Sequence, residues 1–279
     1  VVITVRRVIP AQQVTDGAGV KLNRVFGYDT RMETDPFLLL DYFGSENPTD
    51  YAAGFPWHPH RGIETITYML QGKVEHSDSL GNRGEVNPGG VQWMTAGSGI
   101  IHQEMPKPIS GLMYGFQLWL NLPRSFKMVP PTYHDLKSSD IPEVETSSSR
   151  VRVIAGRFRK AVGLSTPYNS SIDVLDVRLW PDALFDEALN TNSSYFLFVY
   201  DGQISFADYS KPIGSLNGVI LDKGSILQLK AESNGANFLL FGGQPINEPI
   251  AWRGPIVMNT NDELSVAFEE INQGTFIKE

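Results

Sequence analysis

Trp57-His58-Pro59-His60-Arg61-Gly62 and Ile101-His102-Gln103-Glu104-Met105-Pro106 decide how the rest of the chain reads. If each segment is extended, residues two apart project from the same face of a strand, so His58 aligns with His60 and His102 with Glu104. Two such pairs facing each other predict a four-ligand metal site on a β scaffold. Three imidazoles and a carboxylate suit a borderline divalent ion, Fe, Ni, Cu or Zn, better than Mg or Ca, whose shells are all oxygen. A tetrahedral zinc with four protein ligands would be closed to substrate and structural, whereas six-coordinate Fe(II) keeps up to two positions open. Pro59 has no amide proton for a ladder, which places its strand at an edge or rim.

The neighbouring segments extend the β pattern. Ile63-Leu70 ends at Gln71-Gly72-Lys73, Val74-Asp78 follows, and Asn87-Pro88-Gly89-Gly90 leads into Val91-Met94, a run of hairpins. Upstream, Val1-Val8, Lys21-Val25 and Phe37-Asp41 read as strands, the last apolar on both faces as a doubly buried strand would be. Phe116-Leu122 is a further strand, stopped by Pro123. Residues 130–150, with Pro130-Pro131, Pro142 and Ser147-Ser148-Ser149, break the pattern. The expected organisation is therefore an N-terminal domain over residues 1–133 that carries the metal site, a linker over 134–150, and a C-terminal domain over 151–279 without metal.

A weak internal repeat relates the halves. Tyr68-Val74 followed by Asn87-Gln92 resembles Val199-Ile204 followed by Asp222-Leu227, each a strand, a glycine turn, a strand and a second glycine turn. No histidine follows His134, so a second copy would lack the site. Near the C-terminus, Asn261-Ile271 has capping residues, early acidic charge and apolar spacing at Leu264, Ala267, Phe268 and Ile271, which predicts the one clear helix, closed by Gly274 and expected within the second domain.

Around the paired motifs other residues compete for roles. Glu64 shares the face of His58 and His60 if the strand continues, but a break at Gly62 would remove it as a fifth ligand. Arg61 either holds a carboxylate behind the ligands or faces water. His76 reads as a structural or surface residue near a turn, and His134 sits in the linker with no partner. Phe55, Trp57 and Trp93 line an apolar pocket or pack the core. Glu104 has two candidate roles, metal ligand and base for a substrate hydroxyl proton.

Bulk properties bound the function. The 279 residues carry Lys+Arg 23 against Asp+Glu 31, a net charge of -8, which opposes direct nucleic-acid binding. The absence of cysteine excludes disulfides, thiolate ligands and a cysteine nucleophile. With no signal-like or membrane-length apolar run, the expectation is a cytoplasmic protein with no membrane contact.

At these residues the chain resembles the pirin family of the cupin superfamily. The likeness runs through Asp35-Pro36-Phe37-Leu38-Leu39-Leu40-Asp41, His58-Pro59-His60-Arg61-Gly62-Ile63-Glu64-Thr65, Gln92-Trp93-Met94-Thr95-Ala96-Gly97-Ser98-Gly99-Ile100-Ile101-His102-Gln103-Glu104-Met105-Pro106 and Gly254-Pro255-Ile256-Val257-Met258-Asn259-Thr260. The resemblance implies a mainly β bicupin, two stacked β-barrel (jelly-roll) domains with a short C-terminal helix. It also implies one divalent metal, first Fe(II), with Ni, Cu, Zn, Mn or Co as other fits, held by His58, His60, His102 and Glu104. Relative to a generic cupin, the interval from Pro88-Gly89-Gly90 to His102 is long, and Glu64 stands where many cupins place their ligand glutamate.

The leading expectation is a dioxygenase similar to quercetin 2,3-dioxygenase, acting on a flavonol or related enolic aromatic together with dioxygen. The alternatives are an iron-binding redox sensor working through a regulatory protein partner, and a small-metabolite isomerase or hydrolase. A monomer or weak dimer fits all three.

Overall fold

The structure, a computed structural model, describes residues 1–169 and 171–278. Its chain divides into two compact units, both built almost wholly of antiparallel strands. The unit that contains all five histidines comprises Gln13–Tyr28, Phe37–Asp140 and Ile246–Glu279.

Two sheets form this unit. The larger runs Thr132–Leu136, Val91–Thr95, Ile63–Gln71, Met113–Asn121, Phe37–Ser45, Val20–Phe26, Gln12–Asp16, and the smaller runs Phe55–His60, Ile100–Lys107, Lys73–Asp78, Arg83–Val86. Leu22, Phe43, Met69 and Met113 of the larger sheet pack with Val74 and Val86 of the smaller, so the apolar inner faces close on one another. The sheets keep open edges, and the architecture is jelly-roll-like rather than a closed barrel. As expected for a doubly covered strand, Phe37 to Phe43 are all buried.

In the other unit, Val1–Gln12, Asp29–Pro36 and Ile141–Pro245, a nine-stranded sheet is organised on the 18-residue strand Ile226–Gly243, which pairs with Ile172–Leu179, Leu184–Ala188 and Ser194–Ser205. One core, including Val153, Val177, Leu197, Leu227 and Phe238, fills it.

The sequential division expected at 134–150 differs from these units in two ways. Residues 134–150 are structured: Thr132–Leu136 pairs with Val91–Thr95, and Glu143–Glu145 pairs with Ser149–Ala155. Prolines and serines interrupt the pattern there, yet three- to five-residue strands suffice to join an existing edge. The ends of the chain are also exchanged. The N-terminal strand Val5–Pro10 pairs with Asn217–Leu221 of the histidine-free unit, and the C-terminal segment belongs to the histidine-bearing one.

The helix, α1 (Asn261–Gln273), forms where its periodicity places it. Thr260 accepts a bond from the Glu263 amide while the Glu263 carboxylate accepts from the Thr260 amide, and Gly274 closes the end with φ 72°. Leu264 and Ala267 pack on Ile256, Met258 and Phe276.

Candidate metal centre

Phe55–His60 is an edge strand, as the proline at 59 requires, and lies against Ile100–Lys107. His58 faces His102 directly across this ladder. Between His102 and Glu104 the register slips, with three steps of one strand, His58 to Phe55, spanning two of the other. The extra residue falls in the Pro56-Trp57 stretch, where the missing amide of Pro56 costs no ladder bond. After His60 the chain turns at Gly62, φ 77°, and enters the larger sheet at Ile63. A Cβ at Gly62 would lie 1.9 Å from the Val257 carbonyl oxygen, so only glycine fits this turn.

The three imidazoles converge. Ring centroids are 4.8 Å apart for His58 and His60, 4.4 Å for His58 and His102, and 5.1 Å for His60 and His102. One nitrogen from each lies within 4.8 Å of the others. His58 Nδ1 donates to the Pro56 carbonyl at 2.8 Å, and His60 Nδ1 donates to the Pro255 carbonyl at 3.1 Å. A carbonyl can only accept, so each ring carries a proton on Nδ1 and turns Nε2 toward the other ring. Those two Nε2 atoms face each other at 3.1 Å. At that distance the two nitrogens either share one proton or give a lone pair each to a cation between them.

A metal fits this arrangement. With metal–nitrogen bonds of ~2.1 Å, two ligands at right angles sit about 3.0 Å apart and two at the tetrahedral angle about 3.4 Å. The 3.1 Å separation of His58 and His60 suits two adjacent ligands of one ion. His102, 1% exposed, has no hydrogen-bond partner for either ring nitrogen among the described residues, an arrangement that is costly for a buried imidazole with nothing to bind. Burial, reinforced by His58, pushes His60 down to about 3, with the Pro255 carbonyl opposing. Burial followed by the neighbouring histidines takes His102 well below the usual range. Both are neutral at pH 7, the state a metal requires.

Glu104 is 8% exposed and lines the same cavity as His58 and His60, but its carboxylate is not among the three-residue group of converging ligand atoms. Its Oε1 accepts from Thr67 Oγ1 at 3.1 Å. Burial pushes its carboxyl up, against the pull of His58 and Thr67. The cavity has a volume of about 700 Å³ and is walled by Tyr28, Phe55, Trp57, Trp119 and Trp252. Trp119 meets His60 edge-on at 4.9 Å.

The other sequence candidates fall elsewhere. Glu64 is fully buried and accepts from Thr95 Oγ1 at 2.7 Å, away from the imidazoles, because the turn at Gly62 puts it on a different sheet. Arg61 is 2% exposed rather than solvated: its Nε donates to the Ser98 carbonyl, and one terminal nitrogen reaches the Phe276 carbonyl and Glu270. His76 is buried and stacks on Tyr133 at 5.4 Å, on the strand adjoining His102 and Glu104. His134 lies in a strand opposite Trp93, not in a linker. Phe55 and Trp57 line the cavity, whereas Trp93 is core.

Sequence reasoning did not single out Thr67, Gln117, Arg24 or Asp41, all of which line the cavity. A signal for Asp41 exists: it is the one charge in Phe37-Leu38-Leu39-Leu40-Asp41-Tyr42-Phe43, and a charge in a doubly buried strand needs a partner. Arg24 supplies it through two bonds of 2.8 Å.

The family model for pirin matches residues 19–120, and the model for the pirin C-terminal cupin domain matches residues 174–277. A pirin-like protein of Caulobacter vibrioides is 41% identical over 98% of this chain and 98% of its own length. A crystal structure of quercetin 2,3-dioxygenase from Acinetobacter baumannii is similar at a TM-score of 0.91 and 33% identity, covering 99% of each chain. A bacterial pirin from Escherichia coli, solved in complex with nickel(II), shares the fold at a TM-score of 0.66 and 21% identity, covering 86% of this chain and 99% of that one.

Proposed function

The chain belongs to the pirin family, and from that membership we propose that it is a metal-dependent dioxygenase acting on a flavonol or a related enolic aromatic compound. The observation that carries this reading is the convergence of three imidazoles, two of which, His58 and His60, line a cavity walled by aromatic side chains. His58, His60 and His102 hold the metal, and Glu104, two residues along the strand from His102, is the fourth ligand. Iron(II) is the proposed occupant, since an octahedral ion leaves positions open beside four protein ligands. When bound, the metal supplies Lewis acidity toward the substrate enol and a route for electrons between substrate and dioxygen.

The protein's own part is positioning and proton handling. Pro56 and Pro255 lock the tautomers of His58 and His60, and Trp119 fixes the His60 ring against rotation. The aromatic wall formed with Trp119 and Trp252 gives a flat ring a face to pack on and helps exclude water. Glu104 has one oxygen tied to Thr67, which leaves the other to ligate the metal or, once loosened from it, to take the enol hydroxyl proton. A flavonol and dioxygen together hold all the atoms of a ring-opened ester and carbon monoxide, so no external reductant is required.

The test is metal analysis of protein purified without a chelating tag, followed by oxygen uptake and carbon monoxide release with quercetin. Uptake is expected in the metal-loaded protein and in no variant lacking His60 or His102. A fully metal-loaded protein that consumes no oxygen with quercetin or other enols would overturn the reading and leave a non-catalytic metal-binding role.

A further inference from the structure

The cavity has a second polar end. Arg24, Asp41, Gln117 and Thr67 are directly opposed on four successive strands of the larger sheet, and all four line the cavity. Directly opposed residues project to the same face, so they form a row across the cavity. At one end Thr67 Oγ1 lies 3.1 Å from Glu104 Oε1 and 2.7 Å from Gln117 Oε1, its single proton serving one of them at a time. At the other, Arg24 is clamped: Nε and Nη2 donate to the two Asp41 oxygens at 2.8 Å each, and Nη2 also donates to Asp16 at 2.8 Å. Strands lie ~4.8 Å apart, so the Arg24 end is on the order of 10–14 Å from the Thr67 end.

A line of rings follows the same course. His60 touches Trp119, Trp119 lies 6.0 Å from Trp252, and Trp252 lies 5.7 Å from Tyr28. Tyr28 follows Gly27, against which the Arg24 side chain packs. The cavity thus offers an aromatic wall and a polar row, both starting at the imidazoles and ending at Arg24.

Among the described residues, Arg24 Nη1 has no hydrogen-bond partner, and its two N–H groups are available. One guanidinium and two carboxylates give the cluster a net charge of minus one. An anionic group could accept from Nη1 but would meet Asp16 and Asp41. An ammonium could donate to the carboxylates but would meet the guanidinium. A neutral hydroxyl satisfies both, accepting from Nη1 and donating to a carboxylate oxygen.

We infer that Arg24, with Asp41 and Asp16, recognises a ring hydroxyl at the far end of a planar aromatic substrate whose enol lies at the imidazoles, and so selects polyhydroxylated rings over bare or carboxylated ones. The inference rests on the aromatic-substrate reading above and adds its far-end selectivity.

Isothermal titration of the metal-loaded protein under nitrogen tests it, with quercetin, 3-hydroxyflavone and a 3-hydroxyflavone bearing a carboxylate on its pendant ring as probes. The wild type is expected to bind quercetin at least ten-fold more tightly than either other flavonol, the scale of one charge-assisted hydrogen bond. In Arg24→Lys, which keeps the charge but loses the fork, the quercetin preference over 3-hydroxyflavone is expected to shrink about ten-fold. In Asp16→Asn, at a half-exposed position that leaves the buried Asp41 pair intact, carboxylate binding is expected to improve relative to 3-hydroxyflavone. Unchanged binding ratios in both variants, or no flavonol binding by the wild type, would overturn the inference. Selective binding without oxygen uptake would instead sink only the oxygenase reading, since the titration excludes oxygen.

Discussion

Lys127 shows how much the turn behind the ligand strand depends on single residues. The residue is 2% exposed and its ammonium has three acceptors for its three N–H bonds, the Gly62 carbonyl at 2.9 Å, Asn121 Oδ1 at 2.7 Å and the Val257 carbonyl at 3.0 Å. It therefore joins the Gly62 turn to the segment carrying Val257. Burial pushes its pKa down to about 7, with Glu248 and Glu263 pulling it back up. Because the folded value lies below the unfolded one of 10.5, the unfolded chain holds more protons between pH 7 and 10.5, and stability from this group rises with pH across that window. In Lys127→Met, urea denaturation is expected to show a flatter stability profile between pH 7 and 10. At pH 7 the variant should lose on the order of 1–3 kcal/mol from stranding its buried acceptors. A profile as steep as wild type would refute this role. At this scale the site was partly legible from sequence. His58, His60 and His102 stand out because period-two spacing within a strand is local information. Arg24 and Gln117 do not, because their significance depends on which strands are neighbours.

At the scale of elements, the ligand strand is coupled to α1 through Arg61. The guanidinium lies 4.3 Å over the Phe276 ring, donates to the Phe276 carbonyl at 2.9 Å, and pairs with Glu270 of α1 at 2.7 Å. Because Arg61 adjoins His60, the helix and the tail after it help fix where the ligand strand ends. Arg61→Met is expected to destabilise the protein by about 3 kcal/mol or more, since carbonyls of Ser98 and Phe276 lose their donor and a fully buried charge site is emptied. Glu270 keeps Lys278 as a partner, so its stranding adds little. Metal affinity is expected to fall ~10–100-fold, the range for residues that orient ligands from behind. Calorimetric melts with and without metal, alongside competitive metal titration, would read both effects; unaltered affinity in a destabilised variant would confine Arg61 to folding. The helix itself was readable, because capping and periodicity are written in adjacent residues. Its membership was not, because an apolar stripe says that a face is buried without saying against what.

For the whole molecule, the order of segments matters more than a single division at a linker over 134–150. Following the chain, the two units alternate through Val1–Gln12, Gln13–Tyr28, Asp29–Pro36, Phe37–Asp140, Ile141–Pro245 and Ile246–Glu279. The repeat read from sequence has a structural counterpart, since Gly72 at φ 72° and Gly202 at φ 71° occupy matching turns. Repeat detection finds such matching cores but is blind to terminal segments that have no counterpart in the other copy, and those are the ones exchanged. A fragment of residues 1–140 would retain His58, His60, His102 and Glu104 yet lack 246–279. With that segment go the Pro255 carbonyl that orients His60, the Val257 carbonyl held by Lys127, the Phe276 carbonyl held by Arg61, and the Trp252 wall of the cavity. The fragment would also strand Val1–Gln12 without its Asn217–Leu221 partner. It is expected to show weak near-ultraviolet circular dichroism and at least ten-fold weaker metal binding than the full chain, with partial recovery when 246–279 is fused back through a flexible linker. A 1–140 fragment that folds cooperatively and binds one metal ion with the affinity of the full chain would show that the four motif residues suffice, and that the exchanged C-terminal segment is only packing.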